Sequence, residues 1–126
     1  MSKMENPSLY ERLGGYDNIA AVANDLLPRL MGDPVLGRFW KNRGEDGLRR
    51  EKQLLIDFLC ASSGGPLTYV GRDMLTTHKG MEIDQKDWEN FSGHLKATLD
   101  HFQLPEKERN EVFGFIESLR MEIIEK

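Results

Sequence analysis

A chain of 126 residues, 39% hydrophobic and 30% charged, is the size of one domain and long enough to bury a core without staples. Its formal net charge of -4 and the lack of any Lys/Arg cluster argue against a nucleic-acid binder, which needs a basic face to neutralise phosphates. A single cysteine, Cys60, excludes an intramolecular disulfide, and three histidines without CxxC or HExxH spacing build no zinc site, so a reducing cytoplasm is the expected compartment. Residues 1–7 are polar and are expected to form a flexible extension ahead of one domain over 8–126. Nowhere do about 18 apolar residues run together, so neither a signal peptide nor a membrane span is expected.

Helical periodicity punctuated by Gly and Pro runs through the chain, and no alternating run demands a strand, so the expected fold class is all-α. Ser8 and Glu11 have capping-box spacing, predicting a two-turn helix that Gly14 and Gly15 end. Asp17 is the expected N-cap of the next helix, where Ile19, Val22, Ala23, Leu26, Leu27 and Leu30 follow the i, i+3, i+4, i+7 pattern until Gly32 and Pro34. Pro28 lacks an N–H and crowds the carbonyl of Asn24, which predicts a bend, yet the periodicity continues past it.

A turn carrying Phe39 and Trp40, then a charged segment from Arg43 to Arg50, lead into residues 53–61, apolar around most of their circumference and expected to be buried on several sides. Ser62 to Pro66, with two glycines, stops that helix. A loop through Tyr69 and Gly71 precedes a short helix from Arg72 to Thr77 or Lys79, with Gly80 as its C-cap. Asp84 opens a helix striped with Trp88, Phe91, Leu95, Leu99 and Phe102. Pro105 opens a last one with Val112, Phe115, Ile116, Leu119 and Ile123.

The three histidines differ in setting. At about 100° per residue, His94 and His101 fall on the flank of the Trp88–Phe102 stripe and read as solvated side chains with no role. His78 is bracketed by Met74, Leu75 and Met81. A polar ring on such a face needs a partner, and periodicity leaves two open: a hydrogen bond within the core, or a metal ligated by one ring nitrogen while the other donates to a backbone carbonyl.

Taken in order, Ser8-Leu9-Tyr10-Glu11-Arg12-Leu13-Gly14-Gly15, Asp33-Pro34-Val35-Leu36-Gly37-Arg38-Phe39-Trp40, Gly64-Gly65-Pro66 and Tyr69-Val70-Gly71-Arg72-Asp73-Met74 with His78-Lys79 resemble the truncated haemoglobins, most closely group I. The resemblance runs from Ser8 to Ile123. It implies a two-over-two sandwich of helices around haem b, with His78 as the ligand of its iron. The helices of Asp17–Met31 and Leu48–Ser62 then form the distal side, and Met74, His78 and Trp88 lie toward the proximal side. Trp40 takes the place of a phenylalanine that the family stacks on the porphyrin, with Phe39 before it. Leu55, Phe58, Leu59 and Met74 are expected to line the pocket, and Lys52, Arg72 and Lys79 are candidate partners of the anionic propionates.

One departure is functional. Group I members often hold bound oxygen with a tyrosine on the second helix and a glutamine on the distal helix, and here the aligned residues are Leu27 and Leu55. A hydrogen bond to a partly negative ligand contributes roughly 1–3 kcal/mol, about one to two decades in affinity. An apolar distal pocket without a second imidazole is expected, with Glu51 and Gln53 as the polar side chains able to reach inward.

The expected function is reversible binding of O2, NO or CO. Other readings stand beside it: NO dioxygenase activity with an external reductase, a redox or sensor role, or a haem-free helical interaction module in which His78 is a core residue. The expected state is a monomer or weak dimer without nucleic-acid or membrane partners.

Overall fold

Ser8 accepts a hydrogen bond from the Glu11 amide while the Glu11 side chain accepts from the Ser8 amide at 3.0 Å, which closes the capping box and starts α1 (Leu9–Arg12). In the computed structural model, which describes residues 7–125, this helix is one turn rather than two. The extension expected over residues 1–7 lies, apart from Pro7, outside the described residues. Gly14 then adopts φ 104° as N-cap of α2 (Gly15–Met31), a left-handed conformation that glycine enters without a Cβ clash. Asp17 is therefore not the cap. It sits in the first turn, where its charge faces the positive end of the helix dipole.

The helix α2 runs on through Pro28 to Met31 and buries Ile19, Ala23, Leu26, Leu27 and Leu30. Asp33 ends the turn that follows: its Oδ1 accepts from the amides of Val35 at 2.7 Å and Leu36 at 2.9 Å. The segment Leu36–Trp40 closes into a 3-10 helix, so Phe39 and Trp40 sit on a fixed turn. His94 supplies the other support, with Nε2 2.7 Å from Asp33 Oδ2. Hydrogen bonds from His94 and from the two amides hold the Asp33 carboxyl at about 2. The expectation that His94 is merely solvated is thus corrected: periodicity along one helix carries no information on a partner 61 positions away.

From Glu45 onward the charged segment lies inside α3 (Glu45–Ser62), which starts three residues before the expected Leu48 because Glu45 and Asp46 favour a helix N-terminus. Only Ile56 and Cys60 of α3 are buried, Cys60 completely, and burial pushes its thiol pKa up. Leu54, Leu55, Phe58 and Leu59 are half-buried. The expected burial on several sides is replaced by one buried face and one that fronts a cavity. A Cβ at Gly65 would lie 2.5 Å from the Tyr10 ring and 2.9 Å from the Cys60 carbonyl, so only glycine lets α1 close on the end of α3, where the Tyr10 amide donates to Ser63 at 2.8 Å.

After a loop come α4 (Met74–His78), capped by Asp73, and α5 (Gln85–His101), capped by Asp84 in a second capping box. The expected last helix is two, α6 (Glu106–Glu117) and α7 (Arg120–Ile123), separated at Ser118 and Leu119. The helix α2 packs against α3 and α5. Leu95 and Leu99 of α5 share a cluster with Leu26, Leu27, Leu30 and Leu36, and Val112, Phe113 and Ile116 of α6 pack onto it. Leu99 is 2% exposed, burial that contributes roughly 2 kcal/mol. The result is the expected two-over-two arrangement, α2 and α3 over α5 and α6, with no strand among the described residues.

Two arginines close the fold. Arg12 bonds Glu111 at 2.6 and 2.8 Å and Glu108 at 2.7 Å, fastening α1 to α6. Arg38 bonds both oxygens of the buried Asp87, at 3.0 and 2.7 Å, fastening the 3-10 helix to α5. The Arg38 hydrogen bond lowers the Asp87 pKa from its ordinary 3.8. Because the folded carboxyl binds its proton less readily than the unfolded one, the stabilisation is full above about pH 4 and is lost as pH falls through the folded pKa. Arg38→Ala is expected to cost about 2 kcal/mol in urea unfolding at pH 7, less than for a fully buried pair because Arg38 is half-exposed, and less still at pH 3. An equal cost at both pH values would dismiss the ionic account.

Candidate functional site

Between the two helix pairs lies a cavity of about 770 Å³, within the range of roughly 300–1,000 Å³ that small-molecule and cofactor sites occupy. The one imidazole on its wall is that of His78. Two local devices position it. Asp73 accepts from the Thr76 amide at 2.7 Å and so starts α4, a five-residue helix whose last residue is His78. Behind the helix, Glu125 accepts from the amides of Gly80 at 2.9 Å and Glu82, and its own amide donates to Ile83 at 2.8 Å. The C-terminal segment thereby clasps the turn that follows His78.

The ring orientation of His78 carries chemical information. Its Nδ1 lies 2.9 Å from the Met74 carbonyl oxygen, and a carbonyl only accepts, so Nδ1 carries the hydrogen. In the neutral imidazole the lone pair then belongs to Nε2, which has no hydrogen-bond partner among the described residues. A side chain so arranged presents one basic nitrogen to an otherwise apolar space.

Ten of the twelve pocket residues singled out from the sequence line this cavity. Leu27 comes from α2, and Phe39 and Trp40 come from the 3-10 helix. Leu55, Phe58 and Leu59 come from α3, where i, i+3, i+4 spacing keeps them on one side. Arg72, Met74 and His78 come from the proximal loop and α4, and Trp88, 5% exposed, comes from α5 with its indole N–H 3.3 Å from Glu117. Lys52 does not join them. It lines a separate, smaller chamber, because two residues along a helix turn the side chain by about 200° from the Arg50 direction. Lys79 does not line the cavity either.

Arg43 and Arg50 line the cavity unforeseen. Arg50 was findable, since it stands four and eight residues before Leu54 and Phe58 on one helical stripe; Arg43 lies in an irregular turn that periodicity does not describe. Neither Arg50 nor Arg72 is in an ion pair among the described residues, and both are exposed. Of the two polar side chains adjoining the distal wall, Glu51 lines the cavity. Gln53 is exposed and turned to Tyr16 and Asp57, at 3.0 Å each. Leu27 and Leu55 offer no donor.

These residues fit haem. The cavity has the volume and apolar lining for a flat macrocycle, a single imidazole with a free lone pair for its iron, and two unpaired guanidinium groups where the cavity meets solvent, suited to carboxylates.

The family model described as bacterial-like globin matches residues 8–125. The chain is 29% identical over 121 residues to the group 1 truncated hemoglobin GlbN of Mycolicibacterium paratuberculosis, an alignment covering 96% of this chain and 87% of that protein. It is 31% identical over 92 residues to the group 1 truncated hemoglobin GlbN of a Nostoc species, covering 73% and 75% of the two chains. Among solved structures, the truncated hemoglobin of Tetrahymena pyriformis in the Fe(III) form superposes with a TM-score of 0.84 at 28% identity, over 94% of this chain and 99% of that one.

Proposed function

This chain belongs to the bacterial-like globin family and takes haem as its cofactor, and from that premise we propose that His78 ligates the haem iron and that the protein reversibly binds a diatomic gas, O2, NO or CO. Bound haem supplies a redox-active iron with a coordination position for such a gas. The observation that carries the reading is the His78 ring, whose Nδ1–H donates to the Met74 carbonyl at 2.9 Å and so leaves the Nε2 lone pair for the metal.

The remaining residues bind, orient and exclude water. Phe39 and Trp40 supply aromatic surface for a porphyrin face. Arg50 and Arg72 pair with the propionates, displacing Lys52 and Lys79 from that role. Leu27 and Leu55 make the wall on the gas-binding side apolar, so the gas is held without a hydrogen bond from either. This reading supplants the haem-free interaction module. A reducing cytoplasm suits the one fully buried cysteine, and any turnover of NO draws electrons from an external reductase.

Absorption spectra of the purified protein test the assignment. A Soret band, a five-coordinate ferrous form and a CO complex are the expected results. A fully folded, colourless protein that refuses added haemin would overturn it.

A further inference from the structure

The helix α4 has only five residues, of which His78 is the last, far below the roughly 12–15 at which a helix becomes stable alone in water. The place of the imidazole therefore depends on what fixes the two ends. Asp73 holds the first. The second runs into the turn 79–83, where Lys79 is extended and the Met81 amide donates to the His78 carbonyl at 3.1 Å. Met81 and Ile83 of this turn line the same cavity as His78.

Gly80 at φ 89° and Glu82 at φ 56° give the turn two left-handed residues. Glycine enters that region freely, but at Glu82 the Cβ crowds the following carbonyl oxygen. Such a turn needs a hold from outside, and the C-terminal segment provides it. The Glu125 carboxylate accepts from the Gly80 amide with one oxygen, at 2.9 Å, and from the Glu82 amide with the other. One side chain, 45 positions from Gly80, thus engages both left-handed residues. Hydrogen bonds to a charged acceptor are about twice as strong as neutral ones. The Glu125 amide adds a bond to the Ile83 carbonyl at 2.8 Å. Just before it, α7 packs against α4, and its Ile123 lines the cavity.

We propose that Glu125 is a positioning residue for iron ligation: by clamping the amides of Gly80 and Glu82 it fixes the backbone behind His78, and so sets how firmly Nε2 holds the haem iron. This role rests on His78 being the iron ligand, as read above. Glu125 does not line the cavity, so it acts through that histidine and not on haem. Its carboxylate is exposed, where water competes for the two amides, so its loss weakens ligation less than loss of the ligand itself.

Glu125→Ala in the haem-loaded protein removes both acceptors. Transfer of haem to excess apomyoglobin is expected to run about tenfold faster than from the wild type, the low end of the roughly 10- to 100-fold that loss of an outer partner of a metal ligand costs. The iron–histidine stretching band of the ferrous form should fall in frequency or broaden, because the ring no longer has one fixed orientation. Glu125→Gln keeps a carbonyl oxygen for one of the two amides and should fall between alanine and wild type in both measurements; it carries the test alone should the alanine variant fail to fold. Urea unfolding of the same variants separates a structural role. Stability lost while the band and the transfer rate stay at wild-type values overturns the proposal, as does faster transfer with an unchanged band, which would make Glu125 a support of the pocket and not of the ligand. A wild-type ferrous form without an iron–histidine band falls instead on the reading of His78.

Discussion

Replacing His78 by glycine is expected to weaken haem affinity by at least about a hundredfold, because it removes a metal ligand and not just a group that orients one, whose loss costs roughly 10- to 100-fold. The Soret band of the ferrous form should shift or vanish, and added imidazole should restore it by entering the space the ring has left. Rescue separates the two readings of this histidine. If its role were the hydrogen bond from Nδ1 to Met74 at 2.9 Å, the variant would lose stability of about 1 kcal/mol, with a spectrum that exogenous imidazole does not alter. Glycine at the end of α4 adds a propensity cost of about 1 kcal/mol. Asp73 still caps the helix and Glu125 still clasps the following turn, so the fold should persist. Unaltered haem affinity and spectra in His78→Gly would sink the ligand assignment.

Features of this site that were legible in the sequence are those carried by neighbours along the chain. Ser8 with Glu11, and Asp84 at the start of α5, are capping signals whose partners lie three residues off. Leu55, Phe58 and Leu59 share a helix face by spacing alone. For His78, the neighbours Met74 and Met81 indicated an apolar setting, and the family resemblance then chose between ligand and core residue. Periodicity does not tell a face packed on another helix from one that fronts a cavity, because both need apolar side chains. The expectation for α3 was therefore too buried.

Features that depend on distant partners were not legible. Asp33 meets His94 and Arg38 meets Asp87 only after the helices pack, and together these contacts hold the turn that carries Trp40. The tie between Trp40 and Glu51, eleven residues apart, likewise crosses an irregular turn. Glu51 and Gln53, two residues apart on α3, were both candidates for the distal space, and packing separates them: Tyr16 and Asp57 engage Gln53, while Trp40 and Arg43 engage Glu51. Lys52 was singled out as a cation on charge alone, with Arg50 not considered, whereas helical direction brings Arg50 to the cavity and turns Lys52 away from it.

Leu27→Tyr is expected to slow O2 dissociation by about ten- to a hundredfold, the effect of adding one hydrogen bond to a partly charged ligand. Leu27 is buried and lines the haem cavity with Leu55, so the wild-type wall offers bound O2 no donor from either position and O2 should leave quickly. The new hydroxyl would stand at the only site on α2 where the family resemblance places a donor. CO develops less negative charge and should respond much less, so the ratio of the two effects isolates hydrogen bonding from the added bulk. Bulk alone would change CO and O2 rates together. Stopped-flow displacement of O2, with CO in parallel, measures both. If Leu27→Tyr changes O2 and CO dissociation by the same factor, the apolar wall does not govern O2 retention, and the donor must come from a residue that already faces the cavity, of which Trp40 released from Glu51 is the nearest in kind.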